Sequence, residues 1–156
     1  AALLAAGWYE SGGVFASNLR GPDRRRGGAY GLLQATRKSL EGVGMTVSHV
    51  MPTDGSLQAE RVAIENTARF ARRMLLGSKR AWLVRARQKY GRDHLSLAKS
   101  IWAKWQSGRS LAEVRRAYVR RKGRAKPGQL AWVWRAIQRR TTVYRELTLP
   151  FVQREL

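Results

Sequence analysis

The sequence predicts an all-α fold, and three observations carry that expectation. Apolar residues recur at three and four residue intervals along most of the chain, glycines stand where each such stretch stops, and little of it alternates as a half-buried strand would. At 156 residues the chain has the size of one compact domain, 1–156, long enough to bury a core, with no internal repeat or low-complexity linker.

Taken in order, a first apolar helix is expected to end near Glu10, where Ser11-Gly12-Gly13 stop it. Residues 11–28 read as a polar loop with the turn signal Gly21-Pro22-Asp23 and the basic run Arg24-Arg25-Arg26. A second helix is predicted over about 29–41, ending at Gly42 or Gly44, and a loop through His49, Pro52 and Gly55 follows, with Asp54 as a turn or cap residue. In the longer helix after it, Ala63, Ile64, Thr67, Phe70, Ala71, Met74 and Leu75 share one face while Arg61, Glu65, Arg69, Arg72 and Arg73 occupy the other, and Gly77 is the stop. A basic helix over about 79–90 ends at Gly91. Asp93 then caps a helix striped by Leu97, Ala98, Ile101, Trp102 and Trp105, and Gly108 closes it. Ser110 and Glu113 have the spacing of a capping box, so another helix begins there and runs to about Gly123. Pro127-Gly128 separates it from a last clear helix carrying Leu130, Val133, Trp134 and Ile137, and the tail beyond has no readable pattern.

Composition narrows the chemistry. Cysteine is absent, which rules out a disulfide framework and a thiolate metal site, and two isolated histidines, His49 and His94, do not make a zinc site, so neither metal nor cofactor is expected. No apolar run approaches the ~18 residues of a membrane span, and the opening residues lack the basic n-region and cleavage pattern of an export signal. The chain starts without Met, directly in the helix that ends at Glu10, as a processed product or a domain cut from a longer polypeptide would. Its net charge of +21 suits polyanionic partners, because Lys and Arg near phosphates or carboxylates gain Coulomb energy and release counterions. Nucleic acid, teichoic acid, lipopolysaccharide and peptidoglycan stems all qualify on charge alone.

Glu10 is the residue with the clearest chemical reading. A carboxyl group at the C-terminal end of a helix meets partial negative charge, which favours its protonated form, and burial against a neighbour such as Trp8 or Tyr9 acts in the same direction. A glycosidase needs such a carboxylic acid to protonate the leaving oxygen. Glu10-Ser11-Gly12-Gly13, followed after one loop by Gly28-Ala29-Tyr30-Gly31-Leu32-Leu33-Gln34, resembles the catalytic core of the lytic transglycosylases, the lysozyme-like enzymes that cut peptidoglycan glycan strands. The first segment is similar to the family's E-S-G-G and the second to its G-A-x-G-L-M-Q, with Leu33 in place of Met. Ile64-Glu65-Asn66-Thr67-Ala68-Arg69-Phe70 resembles the helix pattern N-I-x-x-G-A-x-Y, with Ala63, Thr67 and Phe70 replacing Asn, Gly and Tyr. Trp105-Gln106-Ser107-Gly108 is similar to Y-N-A-G, with Trp for Tyr. The resemblance covers residues 1–108, and residues 109–156 form a basic, Trp-containing helical extension expected to pack on that core.

The resemblance implies a lysozyme-like helical domain with a two-lobed cleft and a single catalytic carboxylate, Glu10. Ser11 and Gln34 would hold the substrate or its assisting acetamide, Tyr30 and Trp105 would stack on sugar faces, and Gln106 would hydrogen-bond sugar. The substrate would be the β-1,4 bond between N-acetylmuramic acid and N-acetylglucosamine, the product a 1,6-anhydro sugar, and the place of action the bacterial cell wall or periplasm. A phage tail or virion protein, or a mobile-element secretion apparatus, is the setting such a unit suits. Simpler readings stand beside these. Leu32 and Leu33 suit the core, Tyr30, Trp105 and Gln106 suit packing as well as substrate contact, and Glu60, Glu65 and Glu113 suit solvated ion pairs. The runs Arg24–Arg26, Arg120-Arg121-Lys122 and Arg139-Arg140 suit solvated surface, some of it binding anionic envelope polymers. A hydrolytic lysozyme with the same Glu is the near alternative, and a nucleic-acid-binding module, resting on the aromatics among arginines from Tyr118 to Arg140, is the distant one.

Overall fold

Caps and left-handed backbone cut the chain where its apolar pattern breaks. The computed structural model describes residues 2–10, 20–21, 28–77 and 79–155, and these are mostly helical, as the all-α expectation required. They divide into two compact units, Ala6–Ala81 and Ala1–Ala5 with Trp82–Leu156. Among the described residues no helix is long and apolar enough to cross a membrane.

The unit Ala6–Ala81 contains the end of α1 (Ala2–Glu10), a small antiparallel sheet, and helices α2 (Arg37–Glu41), α3 (Val47–Val50) and α4 (Leu57–Leu76). The sheet runs β1 (Arg20–Gly21), β2 (Ala29–Tyr30), β3 (Ala35–Thr36), with Arg20 opposite Tyr30 and Tyr30 opposite Ala35. The helix predicted over 29–41 is therefore corrected to a hairpin followed by the short α2. Gly31 at φ 69° and Gln34 at φ 49° are left-handed, a conformation that ends a right-handed helix, and the Gln34 N–H donates to the Gly31 carbonyl at 3.0 Å to close the turn. Thr36 then opens α2, its Oγ1 accepting from the Ser39 N–H at 3.3 Å.

His49, expected in a loop, belongs to α3, where its Nδ1 accepts from the Thr46 N–H at 3.0 Å. Asp54 is the expected turn residue: its Oδ1 accepts from the Ser56 N–H at 2.7 Å, and Ser56 Oγ caps α4 by accepting from the Ala59 N–H at 3.1 Å. On α4, Ala63, Thr67, Phe70 and Ala71 are buried and Arg61, Arg69, Arg72 and Arg73 exposed. Ile64 is exposed, lying one residue, about 100°, round from Ala63 at the edge of the stripe. Leu32, Leu33, Leu40, Met45, Val50 and Phe70 make this unit's core.

In the other unit, α6 (His94–Ser107), α7 (Leu111–Arg120) and α8 (Leu130–Val143) pack on one another after α5 (Arg80–Tyr90). Ala98 and Ala103 of α6 and Ala131 and Ala136 of α8 are all buried, and small buried side chains let packed helices approach closely. Trp102 is buried with its ring edge-on to Tyr144, centroids 6.4 Å apart. Asp93 and the Ser110–Glu113 box cap α6 and α7 as predicted, and Gly108, left-handed at φ 70°, ends α6. Helix α7 stops at Arg120, short of the predicted Gly123, because Lys122 and Gly123 both turn left-handed. The unreadable tail is ordered as a π-helical turn, Tyr144–Thr148, and α9 (Leu149–Glu155). Pro150 explains the widening: it has no N–H for the carbonyl four residues back and its ring crowds that carbonyl.

Candidate active site

Glu10 is the last residue of α1 and is half-buried. One turn before it, on the same side of the helix, stands Gly7, where a Cβ would lie 2.8 Å from Leu32 Cγ. The absent side chain thus lets α1, the helix that ends at Glu10, lie directly on Leu32 of the Gly28–Gln34 segment. Leu32 and Leu33 are buried, as packing residues should be. Gly31 fixes the segment from the other side: a Cβ there would sit 2.6 Å from the Val50 carbonyl oxygen.

Tyr30 and Gln34 flank this turn, and both are half-buried. Tyr30 occupies the central strand, which holds its backbone on both sides. Gln34 Nε2 donates to the Gly31 carbonyl at 2.9 Å, the same oxygen that its own backbone N–H reaches, so the side chain is pinned over the turn. Ser11, with Gly12, Gly13 and Arg24–Arg26, lies outside the described residues.

Trp105 and Gln106 belong to the other unit, on the last turn of α6. Trp105 is half-buried and Gln106 exposed, and Gln106 Oε1 accepts from Arg140 Nη1 at 2.8 Å. Arg140 is only 2 % exposed, which corrects its assignment to solvated surface. The signal was present in the sequence: Val133, Ala136, Ile137, Arg140 and Tyr144 recur at three and four residue intervals and are all buried. At the Gly position of the family's helix pattern, Thr67 is also buried, and its Oγ1 donates to the Ala63 carbonyl at 2.8 Å, which satisfies the hydroxyl within its own helix.

Asp54, Asp93 and Glu113 are shifted away from a proton-donating role. Hydrogen bonds from Ser56 hold Asp54 below the ordinary carboxylate range, those from Ser96 do the same for Asp93, and those from Ser110 for Glu113. Each is a turn or cap group that stays ionised. Among the described residues no three His, Asp or Glu side chains gather where they could hold a metal ion. Comparisons with protein families, with curated proteins and with solved structures found no match to this chain.

Proposed function

We propose that this protein is a lysozyme-like peptidoglycan lytic transglycosylase with Glu10 as its catalytic acid and base. The observation that supports the reading is the packing of the helix that ends at Glu10, through Gly7, onto Leu32 of the Gly28–Gln34 turn, whose sequence resembles a motif of the same family. In the proposed reaction the Glu10 carboxyl group protonates the glycosidic oxygen as the bond from C1 of N-acetylmuramic acid breaks, with the substrate's acetamide assisting. The Glu10 carboxylate then takes the proton of the C6 hydroxyl as that oxygen closes onto C1, giving the 1,6-anhydro sugar and restoring the acid. No second protein carboxylate is required, in contrast to the pair that most glycosidases use. Tyr30 and Trp105 serve as sugar platforms, Gln34 and Ser11 as amide and hydroxyl contacts, and Gln106 as a sugar hydrogen-bonding group. Action in the cell wall, in a virion or secretion apparatus, and attraction to anionic envelope polymers belong to the same reading.

Mass spectrometry of the soluble products of purified peptidoglycan tests it. The parent is expected to release anhydromuropeptides, and Glu10→Gln to lower the rate by at least about 10² to 10⁴, the range of acid–base catalysis. Reducing-end products would keep Glu10 as the acid and make the enzyme a hydrolytic lysozyme. No products from the parent, on walls that a control lysozyme digests, would refute the reading.

A further inference from the structure

A groove of about 1060 Å³ lies along α7 within the unit Ala1–Ala5 with Trp82–Leu156. That exceeds most small-molecule clefts, at ~300–1,000 Å³, and suits a segment of polymer. Five cations line it: Lys99 from α6, Arg109 from the loop before α7, and Arg115, Arg116 and Arg120 from α7. Glu113 is the single carboxylate among the lining residues. It is already engaged, accepting from the Ser110 N–H at 2.9 Å and pairing with Arg109 at 3.7 Å. The remaining cations thus face a ligand with little internal compensation. Arg116 and Arg120 stand one helical turn apart, a rise of about 6 Å, so their planar forks can follow a repeating backbone of phosphates.

The groove also has an aromatic wall. Trp134 of α8 lines it half-buried, its ring tilted 40° against that of Tyr118 with centroids 6.5 Å apart. Tyr90 lines it as well, but Lys89 Nζ lies 5.6 Å over that ring, which leaves Trp134 as the stacking platform. Cations that track phosphates beside an indole that accepts any base are the chemistry by which single strands are held. In a duplex the bases stack on one another and do not reach such a ring, and a polyol phosphate has no flat ring to offer.

From this combination we propose that the groove binds single-stranded nucleic acid. None of its lining residues is a candidate catalytic or sugar-binding residue, and the inference stands whether or not the chain cuts peptidoglycan.

Fluorescence anisotropy with a labelled oligodeoxythymidylate tests it on the whole chain, with duplex DNA and poly(glycerol phosphate) as competitors. The exposed pair Arg116→Ser/Arg120→Ser is expected to weaken binding about tenfold and to flatten the log–log salt slope by about 1.4, at ~0.7 per phosphate contact. The pair Arg69→Ser/Arg72→Ser, which removes equal charge from α4, should leave the slope within about 0.3 of the parent's. Trp134→Leu should weaken the oligonucleotide roughly 5- to 150-fold, the range of one stacking platform, and leave poly(glycerol phosphate) unchanged. Glu10→Gln should bind as the parent does. Equal losses from the two arginine pairs would overturn the proposal, as would duplex or poly(glycerol phosphate) binding as tightly as the single strand. Should Trp134→Leu not fold by circular dichroism, the arginine pairs and competitors still decide the question.

Discussion

Two small residues hold the Glu10 region together, and both should fail when a methyl group is added. Gly7→Ala brings a Cβ within 2.8 Å of Leu32 Cγ, and Leu32 is 4 % exposed with little room to turn. An overpacking cost of about 1–3 kcal/mol is expected by chemical denaturation. On the proposed function, lysis should drop with it, because the helix end that carries Glu10 must move. Gly31→Ala adds a left-handed alanine, about 1–2 kcal/mol, to a 2.6 Å approach on the Val50 carbonyl, so it should be the more damaging of the two. Gln106 has a structural partner in Arg140 and, on the proposed function, a sugar to hold. Gln106→Ala removes an acceptor from the buried Arg140, which should cost about 1–3 kcal/mol in stability. If sugar is also held there, KM for soluble glycan fragments rises beyond what the folded fraction explains; an unchanged KM would leave the residue structural.

At the scale of the element, caps decide where helices begin, and α7 offers the cleanest test. Ser110→Ala removes the cap of α7 and should cost about 1 kcal/mol, read as a lower denaturation midpoint. Ser110 holds the Glu113 carboxylate below its ordinary value of 4.5, so Glu113 contributes stability above that value and loses it as pH falls through its lower folded-state value. The parent's melting temperature should therefore decline on acidification below about pH 4.5 more steeply than that of Glu113→Gln. Caps such as Asp93 and Ser110–Glu113 were legible in the sequence because their chemistry is local, a side chain meeting a backbone N–H three residues on. The 29–34 segment was misread as helix because its decisive contact is with Val50, nineteen residues on from Gly31, and because a left-handed Gln34 has no compositional mark. The π-helical turn escaped for a related reason: Pro150 signals a break and does not say how the break is absorbed.

For the whole chain, charge is the property with the widest reach. A net +21 destabilises the folded state by self-repulsion, and added salt screens it. The melting temperature should rise from low salt to physiological ionic strength, and more with sulfate than with chloride at equal ionic strength. A flat response would mean that the charges are already locally compensated. The mostly helical class was legible because periodicity and stop signals agreed over α4, α6, α7 and α8. The candidate site was legible only as motifs: Glu10, Tyr30 and Gln34 declared themselves by residue type and order, while Arg140, named only as surface charge, is buried by the packing of α8. The hairpin has one further consequence, in the order of assembly. Strands of two residues supply too few ladder hydrogen bonds to persist alone, so β2 and β3 depend on α3 and α1 to hold their shape. During refolding the turn packed against Gly7 should acquire amide protection after α4 has done so, and in the native protein it should exchange first. On the proposed function, the catalytic surface would then be the last part of the molecule to form and the first to be lost.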